Sequence, residues 1–90
     1  MQFRDIYDYL KGKVAGVVVT VRNSIVIRGA SDFREYKAPM FILNGVQVDQ
    51  ETFGQIVPVT IVSVKILKGP ETAIYGIRGA NGVIEVTTII

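Results

Sequence analysis

The most informative absences in this 90-residue sequence are those of cysteine and histidine. Because cysteine is missing, the chain can form no disulfide and has no thiol for catalysis, and its redox compartment is left open. Because histidine is missing, the commonest metal ligand and the commonest general base in proteins are both excluded. Any enzyme built from this sequence would have to work with carboxylates, lysine, tyrosine or serine alone.

Long apolar runs are absent as well. The longest uninterrupted one covers Val14–Val19, whereas a helix that crosses a bilayer needs about 20 apolar residues. No charged segment followed by an apolar one opens the chain, so we expect Met1 to be an artificial start or a cut within a longer protein rather than the start of a secretory leader. The length suits a single domain, predicted to span residues 1–90.

The sequence has no large excess of positive or of negative charge. The formal net charge is +2, although residues 1–37 carry seven basic side chains against four acidic ones. An imbalance of this size is typical of a solvated surface and does not by itself predict a nucleic-acid partner. Hydrophobic residues make up 49% of the chain and charged residues 20%, which is the composition of a globular protein rather than a disordered one.

The acidic side chains form no recognisable catalytic or metal-binding pattern. Asp5 and Asp8 lie on one face of a predicted helix, where ordinary solvation accounts for them. No loop has the Asp-x-Asp-x-Asp-Gly spacing that a calcium site requires. We therefore predict a protein that is not an enzyme and that binds no cofactor and no metal.

The first half of the chain predicts one helix and two strands. Phe3, Ile6, Tyr7 and Leu10 recur at helical spacing, and Gly12 can end the helix. Two runs rich in β-branched residues, 17–21 and 25–28, predict a strand and a return strand joined by a turn. The polar composition of residues 29–39 predicts a surface loop.

The middle of the chain contains the strongest local signal, a predicted hairpin. Asn44 and Gly45 stand between two apolar runs, and both tolerate the positive φ angles of a type I′ turn. Asp49 can cap a short helical turn that points Phe53 and Ile56 inward.

The last third predicts two strands with a short helix between them. Pro58 suits the first position of a turn, and residues 63–67 form a strand. Gly69-Pro70-Glu71 can start a helix over residues 72–75, which Gly76 is placed to stop. Residues 83–88 alternate as a half-buried strand, and residues 68–82 are long enough for a right-handed crossover if these two strands are parallel. The whole predicts an α+β fold with a small mixed sheet of about four main strands and short helices.

The glycines at 69, 76, 79 and 82 raise the question of a bound ligand. A P-loop is excluded because no Gly-Lys-Ser/Thr triplet exists, and a dinucleotide fingerprint is excluded because Gly76, Gly79 and Gly82 are spaced three and three. The run from Gly76 to Gly79 matches the Gly-x-x-Gly loop of an RNA-binding KH module, but a strand is predicted after it instead of a helix. Roles at helix ends and in a tight loop explain the glycines without a ligand. A KH-like nucleic-acid binder stays open as an alternative.

Six segments resemble the plug domain of TonB-dependent outer-membrane receptors, in the right order along the chain. The resemblance is closest to the branch that imports glycans and other nutrients with surface lipoprotein partners. The segments that carry it are LKGKVAGV (10–17), IVIRG (25–29), PMFILNGV (39–46), VKILKGP (64–70), AIYG (73–76) and RGANGVI (78–84). Val86-Thr87-Thr88 extends the last of them.

The resemblance implies a fold, a place and a set of partners. A plug domain sits inside a large transmembrane β-barrel and closes its lumen, so the expected location is the outer membrane at its periplasmic face, with the isolated domain soluble. Substrate on the outer side and pulling by a TonB-type energy transducer are expected to shift the plug. The barrel of the parent chain, the energy transducer and a surface lipoprotein are the implied partners, and no nucleic acid is expected.

The resemblance also assigns roles to individual residues. Arg28 and Arg78 occupy motif positions at which family members carry arginines that pair with acidic residues on the barrel wall. The remaining motif positions are expected to shape the domain. They are Gly29, Asn44, Gly45, Gly69, Pro70, Gly76, Gly79, Asn81 and Gly82.

Two departures from the family pattern bear on the interpretation. Ile77 replaces a small residue that is usual there, and Asn44 replaces a common aspartate. At about 10 residues per strand, 90 residues are too few for a barrel of the family's size. The sequence is therefore either a domain cut from a receptor or a stand-alone plug-like module used for protein interaction without a barrel.

Overall fold

The computed structural model describes residues 3–19, 24–27, 38–79 and 81–89, without the side chains of Ile77 and Arg78. Two α-helices, six strands and two 3₁₀-helical segments lie within these ranges. In chain order they are α1 (Ile6–Lys13), β1 (Val17–Val19), β2 (Ile25–Ile27), β3 (Met40–Leu43), β4 (Val46–Val48), α2 (Gln50–Gly54), a 3₁₀ turn (Pro58–Thr60), β5 (Ile61–Leu67), a 3₁₀ segment (Gly69–Gly79) and β6 (Val83–Thr88). We call Gly69–Gly79 the glycine-rich segment.

Helix α1 begins later and ends later than its sequence pattern predicts. Asp5 is the N-cap, and its side chain accepts a hydrogen bond of 2.9 Å from the backbone N–H of Asp8. Phe3 therefore precedes the helix instead of belonging to its apolar stripe. Gly12 does not end the helix, which continues to Lys13.

Gly12 instead makes room for the Phe3 ring. A Cβ atom at position 12 would lie 3.0 Å from Cε1 of Phe3, which is closer than side chains normally pack. The same ring meets Tyr9 edge to face, with centroids 5.2 Å apart. The sequence predicts that α1 ends at this glycine, whereas in the structure the glycine allows the Phe3 ring to approach the helix closely.

The predicted mixed sheet is confirmed. Its four strands lie in the order β4-β3-β6-β5, and β1 and β2 form a separate antiparallel pair. Strands β3 and β6 are parallel, whereas β3–β4 and β5–β6 are antiparallel. Both strands predicted over 17–21 and 25–28 are present as far as the structure describes them.

The condition for a crossover between β5 and β6 is not met, because these strands are antiparallel, with Ile66 opposite Ile84 and Lys65 opposite Glu85. A connection of sufficient length permits a parallel pair but does not require one. The parallel partner of β6 is β3, where Phe41 pairs with Ile84. Strand β6 consequently lies at the centre of the sheet.

The predicted hairpin is confirmed. Strand β3 turns into β4 through Asn44 at φ 51° and Gly45 at φ 85°, as a type I′ turn requires. Asp49 caps α2, accepting a 2.8 Å hydrogen bond from the backbone N–H of Thr52. The hydrogen bonds from Thr52 hold the pKa of Asp49 below its ordinary value of 3.8.

The main hydrophobic core lies between one face of the sheet and the helices with the β1–β2 pair. Its buried members come from every one of these layers. They are Ile6, Leu10, Ile25, Ile27, Phe41, Phe53, Ile56, Ile84 and Val86. As predicted, both Phe53 and Ile56 point into it.

A second, smaller cluster lies on the opposite face of the sheet. Its buried members are Met40, Ile42, Leu67 and Val83, and Tyr75 of the glycine-rich segment packs against them. Strand residues alternate between faces, so Val83 joins this cluster while its neighbour Ile84 joins the main core. The second face is thus covered by the segment that carries the predicted motif.

Candidate functional site: the glycine-rich segment

The glycine-rich segment begins as a tight 3₁₀ turn directly after β5. Gly69 has φ 63°, and the Thr72 hydroxyl donates a 2.8 Å hydrogen bond to the Gly69 carbonyl oxygen. Pro70 follows Gly69 and is exposed, whereas Thr72 is buried. The predicted helix over residues 72–75 is therefore present in position, but it is a 3₁₀ helix that starts earlier.

Gly76 divides the segment into two short helical pieces. Its backbone angles are φ 62° and ψ −146°, a combination that is essentially restricted to glycine. The helix before it stops there, and a second piece continues to Gly79. The glycine therefore sets the angle at which the second piece, with Arg78 in it, leaves the first.

Gly79 and Gly82 return the chain to the sheet. Gly79 is buried, and a Cβ atom there would lie 3.1 Å from Cβ of Thr72 and 3.2 Å from Cβ of Tyr75. The N–H of Gly82 donates to the Gly79 carbonyl oxygen at 2.9 Å, and the Gly82 carbonyl accepts from the N–H of Met40 at 2.9 Å. Half-buried Asn81 lies between the two glycines.

One side chain fastens the segment to the sheet. The hydroxyl of Tyr75 donates a hydrogen bond to Oε2 of Glu85 on β6, while its ring packs on the second cluster. The hydrogen bond to Glu85 raises the pKa of Tyr75 above its ordinary value of 10.0, and burial and the charge of Glu85 act in the same direction. Sequence reasoning missed this pair, whose only signal was an aromatic residue directly before Gly76.

Asn44 links the hairpin to the end of the central strand. Its Nδ2 donates to Oγ1 of Thr88 at 2.9 Å, and its Oδ1 accepts from the N–H of Thr88 at 2.9 Å. The backbone N–H of Asn44 also donates to the Val86 carbonyl at 2.9 Å. The turn residue thus has a second role, because it ties β3 to β6 across the parallel pair.

A family comparison identifies this arrangement. Residues 1–83 match the family described as TonB-dependent Receptor Plug Domain. The chain belongs to this family. The predicted resemblance is confirmed. The KH-like alternative is wrong, since it required a helix after Gly79 and β6 follows there as Val83–Thr88.

Individual relatives agree with the plug family. The chain is 41% identical over 91 residues to TonB-dependent receptor P39 of Formosa agariphila, a match that covers 93% of this chain and 9% of the relative. It is 34% identical over 96 residues to TonB-dependent receptor SusC of Bacteroides thetaiotaomicron, covering 90% of this chain and 10% of the relative. The chain thus spans about a tenth of the relatives it matches.

The fold also matches a solved structure of a transporter. The plug domain aligns with a chain of the RagAB peptide importer in its "open-open" state with a TM-score of 0.77 and 30% sequence identity. The alignment covers 98% of this chain and 10% of that chain. The α+β plug fold predicted from the sequence is therefore confirmed.

The plug domain exposes several large apolar side chains. Val59 is 85% exposed and Ile74, in the glycine-rich segment, is 78% exposed. Val46, Val57, Val62 and Ile89 are exposed as well. Single exposed apolar side chains are normal on a protein surface, and a contiguous patch of them is what marks an interaction site.

The predicted ion-pair residues fall at the limits of what the structure describes. Arg28 and Gly29 lie outside the described residues. Arg78 lies within the glycine-rich segment, but the structure does not describe its side chain. The prediction that both arginines face a barrel wall therefore stays a prediction.

Two clefts lie on the described surface of the plug domain, neither lined by the glycine-rich segment. One, of about 450 Å³, lies between α1 and the 58–60 turn, lined by Phe3, Arg4, Tyr9, Lys13 and residues 57–59. The other, of about 310 Å³, borders the Asn44–Thr88 link. No described carboxylate lines either cleft, so neither presents a pair of acids for catalysis.

The described residues present neither a metal-binding cluster nor a membrane-spanning helix. Within the ranges that the structure describes, no three His, Cys, Asp or Glu side chains are grouped to hold a metal ion. None of the described helices is long and apolar enough to cross a membrane.

The Tyr75–Glu85 bond predicts a stability difference that disappears at alkaline pH. Because the folded-state pKa of Tyr75 is above the unfolded value of 10.0, the bond stabilises the fold fully below pH 10.0 and its contribution is lost as pH rises through the folded-state pKa. We expect Tyr75→Phe to lower the urea midpoint at neutral pH and to match the parent chain at high pH.

Denaturation in urea over a series of pH values, followed by circular dichroism, measures this difference. Tyr9→Phe is the matched control, because it removes a phenolic hydroxyl without touching Glu85. An equal midpoint for the parent chain and Tyr75→Phe at neutral pH would contradict a stabilising bond.

Proposed function

We propose that this plug domain closes the lumen of an outer-membrane TonB-dependent nutrient transporter and moves when substrate and a TonB-type energy transducer engage the receptor. The observation that carries the proposal is the family match over residues 1–83. The names of the relatives support it, since both are TonB-dependent receptors. The domain acts by occlusion and regulated contact, not by catalysis.

The main partner is a transmembrane β-barrel formed by the parent chain. The matched part is 9% of the Formosa agariphila relative, so most of that protein lies outside the plug domain. At about 10 residues per strand, a remainder of this length is ample for a barrel. The exposed apolar side chains of the plug domain then contact its inner wall, at the periplasmic face of the outer membrane. A surface lipoprotein is a further partner, on the resemblance of the motif segments to the nutrient-importing branch.

Arg28 and Arg78 are proposed to pair with acidic residues on that wall. A guanidinium group binds a carboxylate through two parallel hydrogen bonds, which fixes direction as well as distance. An arginine enclosed by the barrel without its partner would be costly. Two such pairs would therefore allow the plug domain to dock in one orientation.

Conductance of the parent receptor in a planar lipid bilayer tests occlusion. The intact receptor is expected to remain closed, and a receptor lacking residues 1–90 of this sequence is expected to conduct ions continuously. Circular dichroism of the truncated receptor shows whether the barrel has folded. A folded but non-conducting truncated receptor would show that this domain does not close the lumen.

Charge reversal tests the two arginines in the same receptor. Arg78→Glu and Arg28→Glu are expected to cause openings that the intact receptor lacks, because each places a carboxylate against an acidic wall. Lys11→Glu is the matched control, since Lys11 is an exposed cation on α1, away from the glycine-rich segment in the chain. If the two arginine variants open no more often than the control variant, the arginines do not take part in docking, and the proposal that the domain closes the lumen is unaffected.

A further inference from the structure

The glycine-rich segment has the features of a movable cover over the second face of the sheet. We propose that this segment is a strap that pivots at Gly69 and Gly76, is fastened by the Tyr75–Glu85 hydrogen bond, and opens without unfolding the rest of the domain. Its opening exposes the second cluster and displaces the backbone that carries Arg78. This motion is a property of the 90-residue chain and does not require the barrel.

Few of the segment's described side chains contact the sheet. Among its described side chains, Tyr75 is the one that packs against the second cluster, and Thr72 is buried against the segment's own turn. Residues 69–71, 73, 74 and 76 are exposed. Segments with so little buried apolar surface belong to the low-stability parts of a protein, which open locally.

The two faces of the sheet carry hydrophobic clusters of different size. Among the described residues, the main core contains nine buried residues, whereas the second cluster contains four. Opening the segment removes the cover from the smaller cluster and leaves the helices and the β1–β2 pair on the larger one. The free energy of opening is therefore expected to be well below that of global unfolding.

The backbone at both pivots is suited to movement. Gly69 and Gly76 have φ 63° and φ 62°, and a Cβ atom at either position would meet nothing within 4 Å. Neither glycine is therefore required by close packing, unlike Gly79. A hinge needs residues that can change φ and ψ without collision, and these two glycines satisfy that condition.

The Tyr75–Glu85 hydrogen bond lies beside one of the two pivots. Tyr75 stands directly before the Gly76 pivot, and Glu85 lies on β6 with Ile42 and Lys65 as its neighbours across the sheet. Removing the Tyr75 hydroxyl deletes the hydrogen bond and keeps the ring that packs on the cluster. Tyr75→Phe should thus raise the population of the open state by about threefold to tenfold, as the loss of one ordinary hydrogen bond implies.

Native-state hydrogen exchange of the unmodified chain is the first test. The amide of Gly82, which donates to Gly79 across the end of the segment, should exchange faster than the β6 amides that pair with β3 and β5. Its exchange should also depend little on added denaturant, because local opening exposes little surface. Equal free energies of exchange for Gly82 and the β6 amides would overturn the proposal.

Thiol labelling is the second test, and the absence of cysteine gives it a clean background. Leu67→Cys places a thiol in the second cluster and Ile84→Cys places one in the main core, at positions 4% and 0% exposed. In the chain that keeps Tyr75, the residue 67 thiol should be alkylated much faster than the residue 84 thiol, because local opening exposes the former and only global unfolding exposes the latter. Adding Tyr75→Phe should accelerate alkylation of the residue 67 thiol about threefold to tenfold.

The pattern across both thiols decides the outcome. Equal alkylation rates of the two thiols in the chain that keeps Tyr75 would mean that the second cluster is reached by global unfolding only, and an unchanged rate at residue 67 on adding Tyr75→Phe would mean that the bond does not hold the segment closed. Either result overturns the proposal. Since all these measurements use the isolated chain, they fail or succeed separately from the conductance test of occlusion.

Discussion

Replacing Phe53 by alanine is expected to lower the free energy of unfolding by about 3–5 kcal/mol. Phe53 is 0% exposed and is the buried residue through which α2 attaches to the core. Its ring lies against Phe41 of β3, with centroids 4.4 Å apart and planes tilted by 32°. Alanine would leave a cavity at the junction of α2 with the sheet, and the sheet is too well paired to collapse into it.

Such a loss is a large part of the stability of a small domain, which is about 5–15 kcal/mol in total. Denaturation in urea, followed by circular dichroism, measures it. Val59→Ala is the matched control, because Val59 is 85% exposed and truncation there should change stability by about 0.5 kcal/mol at most. A cost below about 1 kcal/mol for Phe53→Ala would mean that α2 is not anchored through this ring.

Replacing Gly76 by L-alanine is expected to cost about 1–3 kcal/mol, entirely through the backbone. A Cβ atom at position 76 would meet nothing within 4 Å, so crowding contributes nothing. The cost arises because φ 62° with ψ −146° is a region that L-residues avoid. The segment would relieve the strain by rotating at residue 76, which moves Tyr75 off the second cluster and changes the direction of the piece containing Arg78.

The mirror-image residue provides the control for this prediction. Reversing the signs of the Gly76 angles gives φ −62° and ψ 146°, which is the polyproline II region of an L-residue and therefore a favoured region for a D-residue at φ 62°. A chemically ligated chain with D-alanine at position 76 should be as stable as the parent chain, or more stable by about 0.4–1 kcal/mol through a restricted unfolded state.

Urea denaturation of the L- and D-alanine chains compares them directly. Equal destabilisation by both would show that the backbone angle is not the reason for glycine at this position. Hydrogen exchange of the Tyr75 backbone amide, compared between the L-alanine chain and the parent chain, would then report whether the segment still lies on the sheet.

Local chemistry was enough to predict the hairpin and the cap of α2. Asn44 and Gly45 accept positive φ, and no distant contact is needed to make them turn. Asp49 caps α2 through an N–H three residues away, which is equally local. The glycine at 76 was predicted to end a helix for the same reason, since its conformational range is its own property.

The candidate site could be predicted in outline and not in its contacts. The spacing of the glycines and the motif segments located the site in residues 68–82. Tyr75 and Glu85 could not be paired from spacing, because their contact depends on how the segment folds back over β6. The link between Asn44 and Thr88 joins residues 44 positions apart, and nothing local marks it.

By itself, the sequence determined the family, the α+β class, the hairpin turn and the positions of the chain reversals, because motif identity and backbone preference are properties of short segments. Tertiary structure alone decided that β5 and β6 run antiparallel, that β6 is central, and that Gly12 accommodates the Phe3 ring instead of ending α1. It also decided that Tyr75 fastens the glycine-rich segment to Glu85. These outcomes depend on which apolar faces meet, and that is settled by burial summed over the whole chain, which no short stretch of residues encodes.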